Sequence, residues 1–244
     1  MADVNLRPVD LVRALADPSR MDVLDALMGG EATVSELLAR TGASQSNLSN
    51  HLAVLRRHGI VRASRAGRSR VYAIADPKYA EVLEAVYAAS APLPRDVEGA
   101  RAGEAPAPIA LARTCYDHLA GRLGVRLFDA LVEREAIVPV GVARASRARK
   151  VRAGLGDVAL GPAAREVFAT LGIDLAEAAR RKRQFATACN DWTESRPHLG
   201  GALGAAVWQR LRALRWILRA PGTRVVSVTP LGRRKLEERF GIDL

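Results

Sequence analysis

The chain has 244 residues, of which 49% are hydrophobic, and its formal net charge is +11. It is therefore long and apolar enough for one or two folded domains, and its positive charge favours a polyanionic partner. Two cysteines cannot form a disulfide framework, and the sequence shows neither a signal segment nor a membrane-spanning apolar run, so we expect a cytoplasmic protein with reduced thiols and no membrane partner.

The first 30 residues predict two helices. An apolar pattern at helical spacing covers residues 6–16 and stops at Asp17 and Pro18. Asp17 is a suitable N-cap and proline is favoured in a first turn, so a second helix is expected over residues 19–28.

Residues 33–57 predict a helix-turn-helix. Thr33 and Glu36 have the spacing of a capping box, which begins a short first helix that Gly42 ends. Ser44 can cap the second helix, whose leucines recur at helical spacing and leave a polar outer face. Short polar side chains of this kind can approach base edges in the major groove, and here they are Gln45, Ser46, Ser49 and Asn50.

A β-hairpin, or wing, is expected after the second helix. The segments IVRAS and RVYAIA alternate at period two around residues 65–69, and no acidic residue occurs from Leu37 to Ala75. A field of one sign suits the phosphate backbone of DNA. His51 could instead pack between helices. We expect contacts to phosphates or to the minor groove from Ser44, His51, Arg56, Arg65, Arg68 and Arg70.

Three runs of the sequence, LADPSRMDVLDAL, ELLARTGASQSNLSNHLAVLRRHGIV and GRSRVYAI, resemble the ArsR-type bacterial repressors. The resemblance covers residues 1–90. It implies a homodimer in which a helix on either side of the winged helix forms the interface. It also implies that two recognition helices bind one DNA turn apart on an imperfect palindromic operator in double-stranded DNA.

The metal sites familiar from that family are missing here. The helix that carries a cysteine pair in its arsenic and cadmium sensors begins with Val34, Ser35 and Glu36. The helix that carries zinc ligands in other members corresponds to residues 76–84, which include acids but no histidine. The resemblance therefore implies DNA binding and does not imply metal sensing at those places.

The second half of the chain contains an internal repeat. HLAGRLG at 118–124 returns as HLGGALG at 198–204, and GIDL at 172–175 returns at 241–244. Before it, residues 91–108 are rich in proline and glycine and predict a linker. We therefore divide the chain into a DNA-binding and dimerisation domain (1–90), the linker (91–108) and a repeat domain (109–244) with copies 109–175 and 189–244.

Each copy is predicted to contain a helix, two strands and a second helix. Glycines along both long helices suggest that these helices lie against each other about a pseudo-twofold axis. The predicted fold class is mainly α with small β hairpins (α+β), a winged helix-turn-helix joined to a pseudo-twofold repeat domain. The predicted elements are 109–134, 137–142, 158–160 and 162–171 in the first copy, and 197–214, 216–218, 223–228 and 230–240 in the second.

Both cysteines, and both histidines outside the winged helix, lie in the repeat domain. Cys115 precedes His118 by one predicted helical turn, and Cys189, near the end of a predicted connecting helix, precedes His198. Two thiolates and two imidazoles suit Zn(II), so these four residues are a candidate metal site. A redox or thiol-modification switch and a purely structural role remain open. The cysteines do not repeat at one offset from the histidine, because Ser195 stands where a match to Cys115 would be.

We expect a sequence-specific DNA-binding transcriptional regulator, a homodimeric repressor relieved by an effector sensed in the repeat domain. The effector would be a metal ion or an organic molecule bound beside Trp192, Trp208 and Trp216. One alternative is an architectural protein that binds DNA with little sequence preference. Another is an enzyme that uses Cys115 with a lowered pKa for thiol chemistry. No phosphate loop, nucleophile elbow or paired-carboxylate motif is present, so we do not expect an enzyme.

Overall fold

The computed structural model describes residues 6–67, 69–90, 108–140, 156–181, 184–219 and 223–244. These residues form two compact units: the first runs to Leu83 and includes residues 223–224, and the second holds the others. Arg68 and the predicted linker up to residue 107 lie outside the described residues. Within the described ranges, no helix is both long and apolar enough to cross a membrane.

The first unit is a winged helix-turn-helix, as predicted. Asp17 accepts the backbone N–H of Arg20 at 2.9 Å and caps the second helix. Thr33 and Glu36 form the predicted capping box, and Gly42 ends that helix with a φ of +65°. The elements are α1 (Pro8–Leu15), α2 (Pro18–Met28), β1 (Ala32–Thr33), α3 (Val34–Thr41), α4 (Gln45–Arg57), β2 (Val61–Ala66), β3 (Ser69–Ile74) and α5 (Pro77–Ser90), which extends into the second unit.

The wing is an antiparallel hairpin with a third strand beside it. Val61 of β2 pairs with Ile74 of β3, and β1 adds to the other edge of β3. The sequence did not predict β1, because a strand of two residues has no alternation to recognise. The leucine stripe of α4 is buried and the helix packs against α2 and β2, which leaves its polar face outward.

The second unit contains the repeat, but the order of its elements differs from the prediction. Each copy has the order ββαββα, from β4 to α8 and from β8 to α11, with α9 between the copies. The elements are α6 (Pro108–Leu111), β4 (Arg113–Cys115), β5 (His118–Ala120), α7 (Gly121–Glu133), β6 (Ile137–Pro139), β7 (Gly156–Leu160), α8 (Ala164–Leu171), α9 (Leu175–Ala179), β8 (Thr187–Asn190), β9 (Pro197–Gly200), α10 (Gly201–Ala213), β10 (Ile217–Arg219), β11 (Val226–Val228) and α11 (Pro230–Phe240).

The predicted helices 109–134 and 197–214 are wrong in their first parts. In each copy a short β-hairpin comes first, and the long helix begins only at Gly121 or Gly201, where φ is +77° and +75°. A Cβ at Gly121 would lie 2.8 Å from the carbonyl oxygen of Ala110. These two glycines therefore allow the chain to turn from strand to helix, and they are not interior helix positions.

Antiparallel pairing joins the two copies. The strands β6, β7, β8 and β9 form one sheet in that order, so the last hairpin of the first copy pairs with the first hairpin of the second. A corresponding connection is made by a bridge between Arg113 and Val225 and by the Val226 N–H, which donates to the Ala112 oxygen at 2.9 Å. The β7–β8 pairing therefore makes a continuous sheet across the copies, whereas the connection at Arg113 and Val225 is a single bridge with one hydrogen bond beside it.

The two long helices do not pack mainly on each other, contrary to the prediction. Instead α7 packs on β9 and α10 packs on β5, so each helix lies on a strand of the other copy. A Cβ at Gly124 would lie 2.6 Å from the Leu119 oxygen and 3.4 Å from the Cβ of His198, and a Cβ at Gly204 would lie 3.2 Å from the Cβ of His118. The small residues therefore serve helix–strand contacts beside the two histidines.

The repeated GIDL segments end the last helix of each copy. Gly172 follows α8 and Gly241 follows α11, with φ values of +70° and +69°. The next residues, Ile173 and Ile242, are buried, and their N–H groups bond back to the preceding helix. Each GIDL is therefore a left-handed helix C-cap closed by an apolar contact.

A buried carboxylate, that of Asp191, links the copies. Its Oδ2 accepts the Gly121 N–H at 2.6 Å, at the start of α7 in the other copy. Its Oδ1 lies 3.0 Å from Nη2 of the buried Arg113 and accepts the Thr193 hydroxyl at 2.7 Å. Burial acts to raise the pKa of Asp191, but His198 and Arg113 outweigh it and hold that pKa well below its usual range, so the carboxylate is ionised.

Replacing Gly124 with alanine tests the helix–strand contact. An ordinary glycine inside a helix would gain about 1 kcal/mol of stability from alanine. The clash with the Leu119 oxygen instead predicts a loss of about 1–3 kcal/mol. Urea denaturation followed by tryptophan fluorescence measures the sign, and Gly204→Ala should behave alike. A gain in both variants would contradict the packing described here.

The Asp191→Asn substitution tests the buried ion pair. It leaves Arg113 in a buried position without its closest carboxylate, so we expect a loss of about 3–5 kcal/mol in the free energy of unfolding. Asp129→Asn is the matched control, because Asp129 pairs with Arg196 at 2.7 Å nearer the surface, where such a pair contributes about 0–1 kcal/mol. Equal effects of the two substitutions in a denaturation experiment would contradict the linking role of Asp191.

Candidate DNA interface and candidate metal centre

The polar face predicted for the recognition helix is exposed on α4. Gln45, Ser46, Ser49 and Asn50 all lie on the solvent side of the helix, opposite the buried leucines. Ser44 is the N-cap: its hydroxyl accepts the Asn47 N–H at 3.4 Å. The cap satisfies a backbone N–H in the first turn of α4, and a helix N-terminus with short side chains is the usual reading end in a major groove.

The arginines around this face divide into two groups. Arg40 donates to the Ala26 oxygen at 3.2 Å, and Arg62 pairs with Glu31 at 2.6 Å, so both are engaged within the protein. The remaining arginines of the described winged helix between residues 37 and 75 are exposed and suit phosphate contacts: Arg56, Arg57, Arg65 and Arg70. Arg57 was not among the predicted site residues, although it lies in the same acid-free span.

His51 is placed differently from the other candidate DNA contacts. Its side chain is only 18% exposed, and its Nδ1 lies 3.8 Å from an oxygen of Asp17, the cap of α2. This position favours the alternative left open by the sequence, in which His51 packs between helices.

The four candidate metal ligands lie on two equivalent hairpins. Cys115 of β4 pairs across its hairpin with His118 of β5, and Cys189 of β8 pairs with His198 of β9. The prediction that Cys115 and His118 share a helix face is therefore wrong, and so is the placement of Cys189 in a connecting helix. When the copies are compared by strand pairing, each cysteine lies opposite a histidine, so the cysteines do repeat. The counterpart of Cys115 is Cys189 and not Ser195.

The hairpins bring the two histidines together in the interior. Their Nε2 atoms lie 3.2 Å apart, and the ring centroids are separated by 5.1 Å at an interplanar angle of 34°. The imidazole of His198 is fully buried, and His118, Cys115 and Cys189 are each at most 6% exposed. The two hairpins therefore hold four side chains of metal-ligating type away from solvent.

Both sulfurs lie beside this pair of imidazoles. One ligand atom each from Cys115, His118 and His198 fall within 4.8 Å of one another. A Cβ on Gly200 would lie 2.5 Å from Sγ of Cys189 and 3.3 Å from Nε2 of His118. The structure therefore gathers three of the four predicted residues, and Cys189 lies outside that group, next to the space that glycine at position 200 keeps open.

Each imidazole also has a carboxylate on its other nitrogen. Nδ1 of His118 lies 3.5 Å from Oδ1 of Asp117, and Nδ1 of His198 lies 3.3 Å from Oδ2 of Asp191. The sequence analysis missed both aspartates. The signal was present, because Cys-x-Asp occurs at 115–117 and at 189–191, but the longer second hairpin hides it when the copies are aligned on the histidines.

Burial decides the protonation of Cys115 and His198, whereas at His118 burial acts to lower the pKa but the two cysteines outweigh it and raise that pKa. Burial raises the pKa of the Cys115 thiol to about 12, although His118 acts in the opposite direction. It also lowers the pKa of His198, which favours a neutral imidazole. The thiol-enzyme alternative needs an accessible Cys115 with a lowered pKa, and the buried position with a raised pKa contradicts it.

The tryptophans do not surround an open site in the described part of the chain. Trp208 and Trp216 belong to the buried core of the second unit. Trp192 stacks on Arg113, whose guanidinium carbon is 4.5 Å from the ring centroid, and lies 5.9 Å from the ring of Tyr87 on α5.

Known proteins resemble both the winged helix and the chain as a whole. Residues 17–63 match the family described as bacterial regulatory protein, arsR family. The HTH-type transcriptional regulator YdfF of Bacillus subtilis (strain 168) is 31% identical over 231 residues, covering 94% of this chain and 95% of YdfF. This similarity therefore extends through the repeat as well as the winged helix.

Two shorter relatives match the N-terminal part. The HTH-type transcriptional regulator CmtR of Mycobacterium tuberculosis (strain ATCC 25618 / H37Rv) is 42% identical over 99 residues, 39% of this chain and 84% of CmtR. A probable mercury resistance operon repressor of Streptomyces lividans is 39% identical over 71 residues, 29% of this chain and 57% of that repressor. With a winged helix-turn-helix and a full-length relative named as a regulator, the chain belongs to the arsR family of bacterial DNA-binding transcriptional regulators.

Proposed function

We propose that this regulator is a homodimeric repressor of a specific, imperfectly palindromic operator, and that a signal sensed in the second unit relieves repression. The observation that carries the proposal is the exposed face of α4, where four short polar side chains lie in an acid-free span with exposed arginines. Such a surface suits direct reading of bases combined with neutralisation of phosphates.

The residues divide by role according to their side chains. Gln45 and Asn50 carry amides, which can pair in bidentate fashion with adenine, and Ser46 and Ser49 tolerate several bases. Arg56, Arg65 and Arg70 would bind phosphates or enter the minor groove, as would Arg68, which lies outside the described residues. The repressor named among the relatives supports a negative effect on transcription.

Exposed apolar side chains support the homodimer. Val12 of α1 is 63% exposed, and Val9 of α1 and Val86 of α5 are exposed as well. A single chain in water gains nothing from large apolar side chains held on its surface helices, whereas a second copy could bury them. These are the two helices that the family resemblance places in a dimer interface.

Helix α5 offers a route from the second unit to that interface. Within the second unit, Glu84 of α5 lies 3.7 Å from Arg113, and Arg113 pairs with Asp191 beside His198. Tyr87, one turn further along α5, contacts Trp192. A change at the two histidines would therefore reach a helix that also belongs to the winged-helix unit.

The Asn50→Ala variant tests the base-reading role. We expect a loss of about 1–3 kcal/mol on the DNA upstream of the protein's own gene and a much smaller loss on unrelated duplex, because a lost base contact affects only the cognate sequence. Fluorescence anisotropy at fixed salt measures both affinities, and the stoichiometry of the same titration should be two protomers per site.

Arg70→Ala is the matched control, since a lost phosphate contact should weaken binding to both duplexes and reduce the salt dependence by about one ion. Equal losses for Asn50→Ala on both duplexes would remove that residue from the base readers. Similar affinity of the unchanged protein for all duplexes would favour the architectural alternative over a repressor.

A further inference from the structure

We propose that Cys115, His118, Cys189 and His198 bind one zinc-class divalent ion, Zn(II), inside the second unit. The inference names the class of effector for the function proposed above and rests on that function only for the regulatory role of the ion. The binding site itself is argued from the geometry of the two hairpins.

The distance between the imidazoles fits a shared metal. In a tetrahedral site with Zn–N bonds of about 2.0–2.1 Å, two nitrogen ligands are separated by about 3.3 Å. The Nε2 atoms of His118 and His198 are 3.2 Å apart, and a Cys115 ligand atom lies within the same 4.8 Å group. Three candidate ligands of two types are therefore already close together, and the two nitrogens have the spacing that one ion requires.

The hydrogen-bonding partners of the two rings also support a shared metal. Each Nδ1 faces a carboxylate, from Asp117 in one hairpin and Asp191 in the other, which favours a hydrogen on each Nδ1. Each Nε2 can then present a lone pair to a shared cation, which takes the place of the 3.2 Å hydrogen bond between the two rings. A carboxylate behind a ligating histidine is the usual arrangement around zinc.

The sulfurs complete the charge balance. Zn(II) displaces the thiol protons of Cys115 and Cys189 to solvent, and the two resulting thiolates neutralise the divalent ion, which is the form that a buried site tolerates best. Cys189 reaches the region across Gly200, where any side chain would meet its Sγ and Nε2 of His118. A Cys2His2 set of soft and intermediate donors selects Zn(II) over Mg(II) or Ca(II), which prefer oxygen ligands.

The rival explanation is a shared proton, in which one histidine donates to the other and the cysteines are core residues. Such a pair needs no sulfur near the nitrogens and would not bind a metal with thiolate character. Metal titration therefore separates the two explanations directly.

The experiment uses the full-length, reduced protein after removal of metal with a chelator, titrated with Co(II) alone. We expect saturation at one ion per chain, the visible bands of tetrahedral cobalt, a near-ultraviolet thiolate-to-cobalt band, and bleaching of all of them by Zn(II). Cys115→Ser and Cys189→Ser should each weaken the thiolate band, and His198→Asn should lower cobalt affinity at least tenfold.

His58→Asn is the matched control, since His58 lies at the end of α4 in the first unit and should leave the spectrum unchanged. Circular dichroism establishes that each variant is folded. A spectrum of the unchanged protein without a thiolate band, or with octahedral cobalt only, would overturn the site without any use of variants. DNA binding measured on the same sample tests the repressor proposal separately from the metal site. Selective DNA binding by a protein without a cobalt site would refute the metal site and leave the repressor proposal standing.

Discussion

The contact between two buried imidazoles, 3.2 Å apart across a pseudo-twofold axis, is the constraint around which the second unit is built. Imidazoles can lie this close in the interior only if their other nitrogens have polar partners and no side chain fills the space beside the rings. The carboxylates of Asp117 and Asp191 lie beside the other nitrogens, and the glycines at positions 124, 200 and 204 leave the space free. The two aspartates and the glycines at 124 and 204 occur in related places in both copies because one hairpin-helix motif supplies them twice, whereas Gly200 corresponds to Ala120.

Duplication also explains how such a small unit is held together. A hairpin of two short strands is marginal by itself, and here the first hairpin of the second copy is extended by β7 of the first copy, while each long helix covers a strand of the other copy. The buried Arg113–Asp191 pair crosses between the copies and orders the segment that carries His198. The buried polar groups of this unit therefore join the two copies, and they also form the candidate site.

The winged helix could be read from the sequence because its signals are local. The Thr33–Glu36 capping box, the Ser44 cap and the alternation in the wing each specify their own element within a few residues. The recurrence of HLAGRLG and GIDL likewise revealed the repeat, and three of the four cysteines and histidines singled out in it, Cys115, His118 and His198, lie close together.

The structure of the repeat could not be read in the same way. Strands of three residues leave no periodicity, and their pairing partners lie far along the chain or in the other copy, so HLAGRLG looked like the interior of a helix. Glycines that permit a positive φ at a strand–helix junction resemble glycines that permit helices to approach. The longer second hairpin then concealed the Cys-x-Asp match, and with it the two aspartates behind the histidines.

The central claim is that the buried cluster senses an ion and that this changes DNA binding. Coupling between two sites is reciprocal, so zinc must change operator affinity if the operator changes zinc affinity. The most direct measurement is fluorescence anisotropy of the reduced protein on its own upstream DNA, with Zn(II) and with chelator. The account predicts weaker operator binding with zinc for the unchanged protein and no zinc effect for His198→Asn. Operator affinity that is the same with zinc and with chelator would contradict it.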